Sequence, residues 1–222
     1  MKIWQQHPGI PLFVSYPRSG CAWINAMMEI YFDRPRGPIQ NAAITWRPRR
    51  EDEEFMWIHT HDEEGDAKTG GKALFLLRDP TACIFSLLSV AGNSINDATV
   101  EAECKTFTRL ATKWLVGGHV DDVIRYEDCV SNPIGTMAEV SQHHAVDFNK
   151  ERATMAVQTC TKEAIVKQAS RQVRQMSKYH GPDLLHASYP ERRKQFRAEY
   201  TQIIRHHVLN PDTAPWLSRY FQ

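Results

Sequence analysis

Long apolar runs are missing from this sequence, and no stretch approaches the roughly 18 residues that a transmembrane helix requires. Segment 1–11 carries one lysine and no apolar core, which is unlike a secretory signal peptide. A cysteine framework is missing as well. The five cysteines are odd in number, scattered and free of Cys-x-x-Cys spacing, which argues against disulfides or a zinc ribbon and favours a reducing compartment. We therefore expect a cytoplasmic protein without a membrane span.

An excess of charge of one sign is also missing. The chain has 27 basic and 26 acidic residues, a formal net charge of +1, which argues against a general nucleic-acid binder. Any anion site must therefore be a local concentration of positive charge. The 222 residues, 42% of them hydrophobic, are enough to bury a core, and we expect a single globular domain over 1–222.

Short apolar runs alternate with amphipathic segments along the first two thirds of the chain. Strands are predicted at 12–16, 55–59, 73–77 and 121–126, and helices at 23–32, 80–90, 101–115 and 133–143. From 151 the chain reads as helical, with a break at 181–182 and a new helix after Ser188, a candidate N-cap. This order predicts an α/β fold of three layers, a central parallel sheet flanked by helices. Ligands bind such sheets beyond the carboxyl ends of the strands.

The segment 16–20, Tyr-Pro-Arg-Ser-Gly, follows the first predicted strand and precedes a helix. A strand, a tight turn at Gly20 and a helix N-terminus gather backbone N–H groups around one point, which suits a phosphate or sulfate. Arg18 adds a planar cation and Ser19 a hydroxyl. The Gly-Lys-Ser/Thr of a nucleotide-kinase phosphate loop is absent, which disfavours a magnesium-dependent ATPase.

A second candidate anion site follows the third predicted strand. Arg78 ends that strand, and Ser86 lies two turns into the next helix, so both could face one ligand. Two anion sites beyond strand ends suit a nucleotide that carries phosphates at its 5′ and 3′ positions.

These motifs together resemble those of the sulfotransferases that use 3′-phosphoadenosine-5′-phosphosulfate (PAPS). The string Tyr-Pro-Arg-Ser-Gly-x-x-Trp at 16–23 resembles the family's 5′-phosphosulfate loop, and Arg78-Asp79-Pro80 with Ser86 resembles its 3′-phosphate motif. Segment 123–128 is similar to the strand whose tyrosine, here Tyr126, approaches the adenine. The resemblance implies a P-loop NTPase-like sulfotransferase fold, PAPS as donor, 3′-phosphoadenosine-5′-phosphate (PAP) as product, and no metal.

The resemblance also implies the donor-binding residues. They are Arg18, Ser19, Gly20, Cys21, Ala22, Trp23, Arg78, Ser86, Tyr126 and Lys178. Arg18 replaces the usual lysine at the leaving group, and Cys21 and Ala22 replace a threonine pair, so we expect weaker donor binding. The family's Arg-Lys-Gly loop has no clear counterpart: Lys178 is the nominal 3′-phosphate cation, and Arg171 and Arg174 are equally plausible.

The catalytic base is expected in the segment His59-Thr60-His61-Asp62, which resembles the family's Lys-Thr-His element. By that match His61 is the general base, and a neutral imidazole suits proton abstraction near pH 7. Arg18 is the second catalytic residue. The same segment leaves a metal site of His59, His61 and Asp62 open, because alternate strand residues share a face.

The sequence therefore predicts in-line sulfuryl transfer from PAPS to a hydroxyl, or an amine, of a small molecule or saccharide. Two alternatives remain. One is a nucleotide or small-molecule kinase with a related phosphate loop, and the other is a weakened nucleotide-binding scaffold protein, which the departures at Cys21 and Ala22 keep open. The acceptor would be selected by segments 33–54 and 93–100, whose composition fits many pockets.

Overall fold

A parallel sheet forms the centre of the computed structural model, which describes residues 3–37, 46, 53–91, 94–161, 163–165, 167 and 188–222. In this described part the sheet has four strands in the order β2-β1-β3-β4. Their bounds are β1 Leu12–Ser15, β2 Ile58–Thr60, β3 Ala73–Leu77 and β4 Asp122–Arg125. All three strand pairings are parallel. The carboxyl ends of the strands therefore meet along one edge.

Helices cover both faces of this sheet. Their bounds in the described residues are α1 Ile3–Gln6, α2 Cys21–Phe32, α3 Pro80–Ala91, α4 Asp97–Ala111, α5 Tyr126–Ser131, α6 Pro133–His143, α7 Lys150–Thr159, α8 Tyr189–Val208 and α9 Ala214–Leu217. A π-helical turn, Thr112–Val116, extends α4, and a 3-10 helix, Ser218–Phe221, follows α9.

The core is divided by the sheet into two apolar layers. Leu12 and Val14 of β1 belong to the layer that contains side chains of α3, α4 and α8. Phe13 of the same strand belongs to the layer that contains side chains of α2, α6 and α7. Successive side chains of a strand point to opposite faces, so this division follows from the strand geometry. The predicted three-layer α/β fold is confirmed.

The second strand lies later than the sequence predicted. The run 55–59 is apolar, but β2 begins at Ile58 and ends at Thr60. The preceding residues run beside segment 35–37 instead: Gly37 N–H donates to the Trp57 carbonyl at 2.6 Å, and Met56 N–H to the Pro35 carbonyl at 3.4 Å. Phe55 and Trp57 are buried all the same, so burial rather than strand pairing produced their apolar pattern.

Other element ends were predicted more closely. The helix at 133–143 has the predicted bounds, and Pro80 opens α3 as expected. Helix α5 was missed, because the chain turns into a helix directly at Tyr126, where the sequence predicted the end of a strand. Ser188 occupies the N-cap position of α8 but makes no side-chain capping bond. Among the described helices, none combines the length and apolarity needed to cross a bilayer.

Candidate active site

The turn between β1 and α2 adopts a conformation that demands glycine at one position. Gly20 has φ 93°, in the left-handed region, and it begins α2 as the N-cap residue. A Cβ atom there would lie 2.5 Å from Cδ2 of the Tyr126 ring. The turn is closed by the Ser19 N–H donating to the Tyr16 carbonyl at 3.2 Å. The result is a tight cradle at the start of a twelve-residue helix, whose first N–H groups have no carbonyl partner within the helix.

Arg18 connects the two anion motifs that the sequence identified. Its Nε donates to Ser86 Oγ at 3.1 Å, and its carbonyl accepts from Arg78 Nη1 at 2.8 Å. Its φ of 66° is unusual for a residue other than glycine and points to a constrained turn. Burial lowers the pKa of Arg18, but an arginine starts so high that it stays protonated near neutral pH. Two guanidinium groups therefore lie beside one helix N-terminus.

Aromatic rings form one wall of this cradle. The Arg78 guanidinium carbon lies 4.1 Å from the centroid of the Tyr126 ring, a cation–π contact. Trp23 meets Tyr126 edge to face, with centroids 6.1 Å apart, and its Nε1 donates to the Cys160 carbonyl at 2.8 Å. Tyr126, the ring predicted to approach the adenine, and Trp23, another predicted donor-binding residue, are thus neighbours.

The small residues of the loop lie at the boundary between the cradle and the interior. Ser19 is only 1% exposed, and its Oγ lies 3.4 Å from Cys83 Sγ of α3, so its hydroxyl contacts the interior. Cys21 and Ala22 are the first residues of α2. Burial raises the pKa of the Cys21 thiol, which keeps it protonated and neutral. Lys178, Arg171 and Arg174 lie outside the described residues.

His61 is held in one tautomer beside the cradle. Its Nδ1 lies 2.8 Å from the Ser15 carbonyl oxygen, which can only accept, so Nδ1 carries the proton and Nε2 keeps a lone pair. Burial lowers the pKa of His61, as does nearby Arg18, and the Ser15 carbonyl and Glu63 oppose the shift. A neutral imidazole with an unprotonated Nε2 is the form that a general base requires.

His59 is more deeply buried, and the same serine holds it. Ser15 Oγ lies 3.0 Å from His59 Nε2, and the two histidine rings meet edge to face with centroids 4.7 Å apart. Burial lowers the pKa of His59 well below its usual value, and His61 and Arg36 add to the shift. Both imidazoles are therefore uncharged at neutral pH.

Asp62 does not join the histidines, so the metal trio that the sequence left open is wrong. Its buried carboxylate accepts hydrogen bonds from Lys113 Nζ, Trp114 Nε1 and the Ala67 N–H. These partners lie on the opposite side of the strand end, in the layer of α4 and its π-helical turn. Asp62 anchors the chain after β2 rather than facing the cradle.

Ser15 and the Arg36–Glu29 pair were missed at the sequence level. Ser15 ends β1, fully buried, and it contacts both histidines. A serine at the end of an apolar strand, one residue before the motif, was the available signal. Glu29 and Arg36 form a buried ion pair at 3.0 Å, which no local pattern indicated because the residues lie on different elements.

A further cation near the 3′-phosphate motif was also missed. Arg197 of α8 pairs with Asp79 at 2.9 Å, and Asp79 caps the start of α3 by accepting from the Thr81 N–H. Helix α8 thus reaches the site through Arg197, which no sequence motif had indicated.

Comparison with solved structures identifies the fold of this chain. No protein-family model and no curated protein matches the chain. A solved structure of mouse sulfotransferase SULT7A1 complexed with PAP is similar at 14% identity and a TM-score of 0.61, over 96% of this chain and 89% of that one. A structure of retinol dehydratase in complex with androsterone and inactive cofactor PAP is similar at 11% identity and a TM-score of 0.62, over 92% and 82%. The chain therefore has the sulfotransferase fold, as the sequence predicted.

Proposed function

We propose that this protein is a PAPS-dependent sulfotransferase, acting on a hydroxyl or amine of a small molecule or saccharide. The observation that carries the proposal is the meeting of three separate motifs at one cradle. Arg18, Ser86 and Arg78 are linked by two hydrogen bonds, and Tyr126 packs on Arg78. The similar solved structures were obtained with PAP, which supports the choice of nucleotide.

The cradle suits the charge of this nucleotide. The start of α2 and Arg18 would hold the 5′-phosphate, because a helix N-terminus and a guanidinium both favour an anion. Arg78 and Ser86 would hold the 3′-phosphate, and Trp23 and Tyr126 the adenine. The missing β-carbon at Gly20 lets the backbone approach the ligand closely. PAPS supplies the sulfuryl group in this scheme.

The chain's own residues would perform two tasks during transfer. His61 Nε2 accepts the proton of the acceptor hydroxyl or amine as that atom attacks, and the Ser15 carbonyl stabilises the resulting imidazolium through Nδ1. Arg18 stabilises negative charge on the departing phosphate oxygen without giving up a proton. This division requires a neutral His61, and the burial that lowers its pKa provides one.

Ligand-induced stabilisation tests the nucleotide. PAP should raise the thermal unfolding temperature, and ATP with magnesium should not; at 100 times the dissociation constant the gain is about 2.7 kcal/mol. The Arg78→Ala variant should lose most of the shift. A larger shift with ATP and magnesium than with PAP would instead support the kinase alternative.

His61→Gln tests the base. Glutamine keeps a polar group of similar reach but cannot accept the proton, so the transfer rate should fall about 10²–10⁴-fold with PAP binding retained. His119→Gln is the matched control, since His119 lies beside Trp114, away from the cradle. The assay is transfer from labelled PAPS to a panel of phenols, alcohols, amines and saccharides. Equal rates in the two variants would remove His61 from the mechanism. PAP binding without transfer to any acceptor would support the scaffold alternative.

A further inference from the structure

Three side chains with metal-binding atoms converge beside the cradle. One atom each from Cys21, His59 and His61 lies within 4.8 Å of the other two, which makes this trio the candidate cluster among the described residues. Cys21 comes from the first turn of α2, and the histidines come from β2 and the residue after it. All three are buried or half-buried. The sequence predicted no metal, and its open alternative used Asp62 instead of Cys21.

The ligand set is typical of one class of ion. One thiolate and two imidazoles suit zinc and its borderline neighbours cobalt and nickel, and they suit magnesium and calcium poorly. Zinc bonds of about 2.3 Å to sulfur and 2.0–2.1 Å to nitrogen place tetrahedral ligands about 3.3–3.6 Å apart. Side-chain movements of about 1 Å would close the trio around an ion. A fourth position would remain for water or another ligand.

The hydrogen bonds around the histidines support this assignment. Metal-binding imidazoles usually have their second ring nitrogen held by a polar group of the protein. Ser15 holds one nitrogen of each ring, through its hydroxyl at His59 Nε2 and its carbonyl at His61 Nδ1, so the ligand atoms of this proposal are the opposite nitrogens, His59 Nδ1 and His61 Nε2. His59 is 5% exposed, and its Nδ1 has no hydrogen-bond partner among the described residues. A buried ring nitrogen without a partner is costly, and a metal ion would satisfy it.

The charges around the trio permit a dication. Arg36 is the cation whose charge lowers the pKa of His59, and the buried Glu29 carboxylate pairs with Arg36 at 3.0 Å. Arg18 is the remaining cation that acts on His61. On binding, the Cys21 thiol releases its proton to solvent, and the thiolate formed offsets one positive charge.

We propose that Cys21, His59 and His61 bind a zinc-class divalent cation, and that the bound ion switches off the active site by occupying the His61 lone pair. The second part rests on the proposed function. The first part concerns the metal site alone and is tested without any substrate.

Cobalt provides the direct readout. The wild-type protein is treated with EDTA, exchanged into chelator-free buffer and titrated with Co²⁺. A near-ultraviolet thiolate-to-cobalt charge-transfer band should appear and saturate at one ion per chain, and Zn²⁺ should displace it. Cys21→Thr should lose the band and weaken zinc binding more than about 100-fold, since losing even a supporting partner of a ligand costs 10–100-fold. Cys104→Ser, in α4 on the other face of the sheet, should keep both. Absence of the band in the wild type, or its persistence in Cys21→Thr, overturns the site.

A second variant covers the case in which Cys21→Thr does not fold. His59→Gln should keep a shifted thiolate band of lower intensity and lose zinc affinity, and an unchanged affinity would also overturn the site. Thermal unfolding of each variant identifies the folded ones.

Activity separates the two proposals. Stoichiometric zinc should abolish transfer by the wild type, and EDTA should restore it. The transfer rate of Cys21→Thr, whatever its level, should not respond to zinc. A cobalt band without transfer to any acceptor in EDTA would overturn the proposed function and leave the metal site standing. Transfer that is indifferent to zinc would overturn the switch.

Discussion

Gly20→Ala is the substitution whose effect the structure defines most sharply. At φ 93° an alanine is strained, and the left-handed conformation costs an L-residue about 1–2 kcal/mol. The new Cβ would also lie 2.5 Å from Cδ2 of Tyr126, where ordinary contacts begin near 3.4 Å. The ring must therefore move by roughly 1 Å, and overpacking of this kind costs about 1–3 kcal/mol. The sum predicts a loss of about 2–5 kcal/mol in the free energy of unfolding.

Gly65→Ala is the matched control for this experiment. Gly65 has φ 72°, similarly left-handed, and a Cβ there would meet nothing within 4 Å. It should therefore cost only the strain, about 1–2 kcal/mol. Urea unfolding with a common slope measures both variants. The difference between them isolates the ring contact, and it should shrink when Gly20→Ala is made in a Tyr126→Ala background. A Gly20→Ala loss no larger than that of Gly65→Ala would refute the reasoning.

The same substitution should also affect the ligand. The displaced Tyr126 ring is the one over which the Arg78 guanidinium lies at 4.1 Å. Folded Gly20→Ala protein should therefore bind PAP about 10-fold or more weakly, given that a cation–π contact is worth about 1–2 kcal/mol when desolvated. Gly65→Ala should bind PAP as the wild type does. Calorimetric titration distinguishes these outcomes.

Three other expectations follow from buried titratable groups. Burial lowers the pKa of His144 to about 3, below the usual 6.5, so its contribution to stability is complete above pH 6.5 and is lost as pH falls toward 3. At pH 5 that loss is about 2 kcal/mol, and urea unfolding at pH 7 and pH 5 should show a smaller drop for His144→Gln than for the wild type. Asp62→Asn leaves Lys113 and Trp114 with a neutral partner in place of a buried carboxylate, so the free energy of unfolding should fall by about 3 kcal/mol. A loss below about 1 kcal/mol would contradict the anchoring role of Asp62. Because the pKa of His61 is lowered, the transfer rate should stay constant down to below pH 6.5, and an acidic limb centred above pH 6.5 would argue for another base.

The sheet and most of its helices were predictable because their signals are local. Continuous apolar runs such as 73–77 report burial on both faces, and Pro80 and Asn132-Pro133 mark helix starts whatever the rest of the chain does. The motif residues were predictable for a related reason. In a parallel sheet, strand ends meet at one edge, so Arg18, Arg78 and Tyr126 had to be near one another once the strands were assigned.

What could not be predicted depends on packing between distant segments. Strand β2 begins only at Ile58 because the preceding residue, Trp57, pairs with segment 35–37 and not with β1. The contact of Ser19 with Cys83, and that of the buried Asp62 carboxylate with Lys113, depend on helices far along the chain. Periodicity reports that a side chain is buried. It does not report which neighbour the side chain meets.

The two departures from the family pattern that looked unrelated in the sequence are adjacent in space. Cys21 stands where a threonine was expected and His59 where a lysine was expected, and one ligand atom of each lies within 4.8 Å of the other. A lysine at 59 would place a third cation beside Arg18 and Arg36 and would offer three donors but no lone pair at neutral pH. With histidine at 59 and cysteine at 21, that positive charge is absent. The neutral imidazole and the neutral thiol each offer a lone pair at the same place. The loss of hydroxyl donors at the cradle and the gain of metal-binding atoms therefore occur together in one part of the active site. The variant Cys21→Thr tests both consequences at once, since it should strengthen PAP binding while it abolishes the cobalt band.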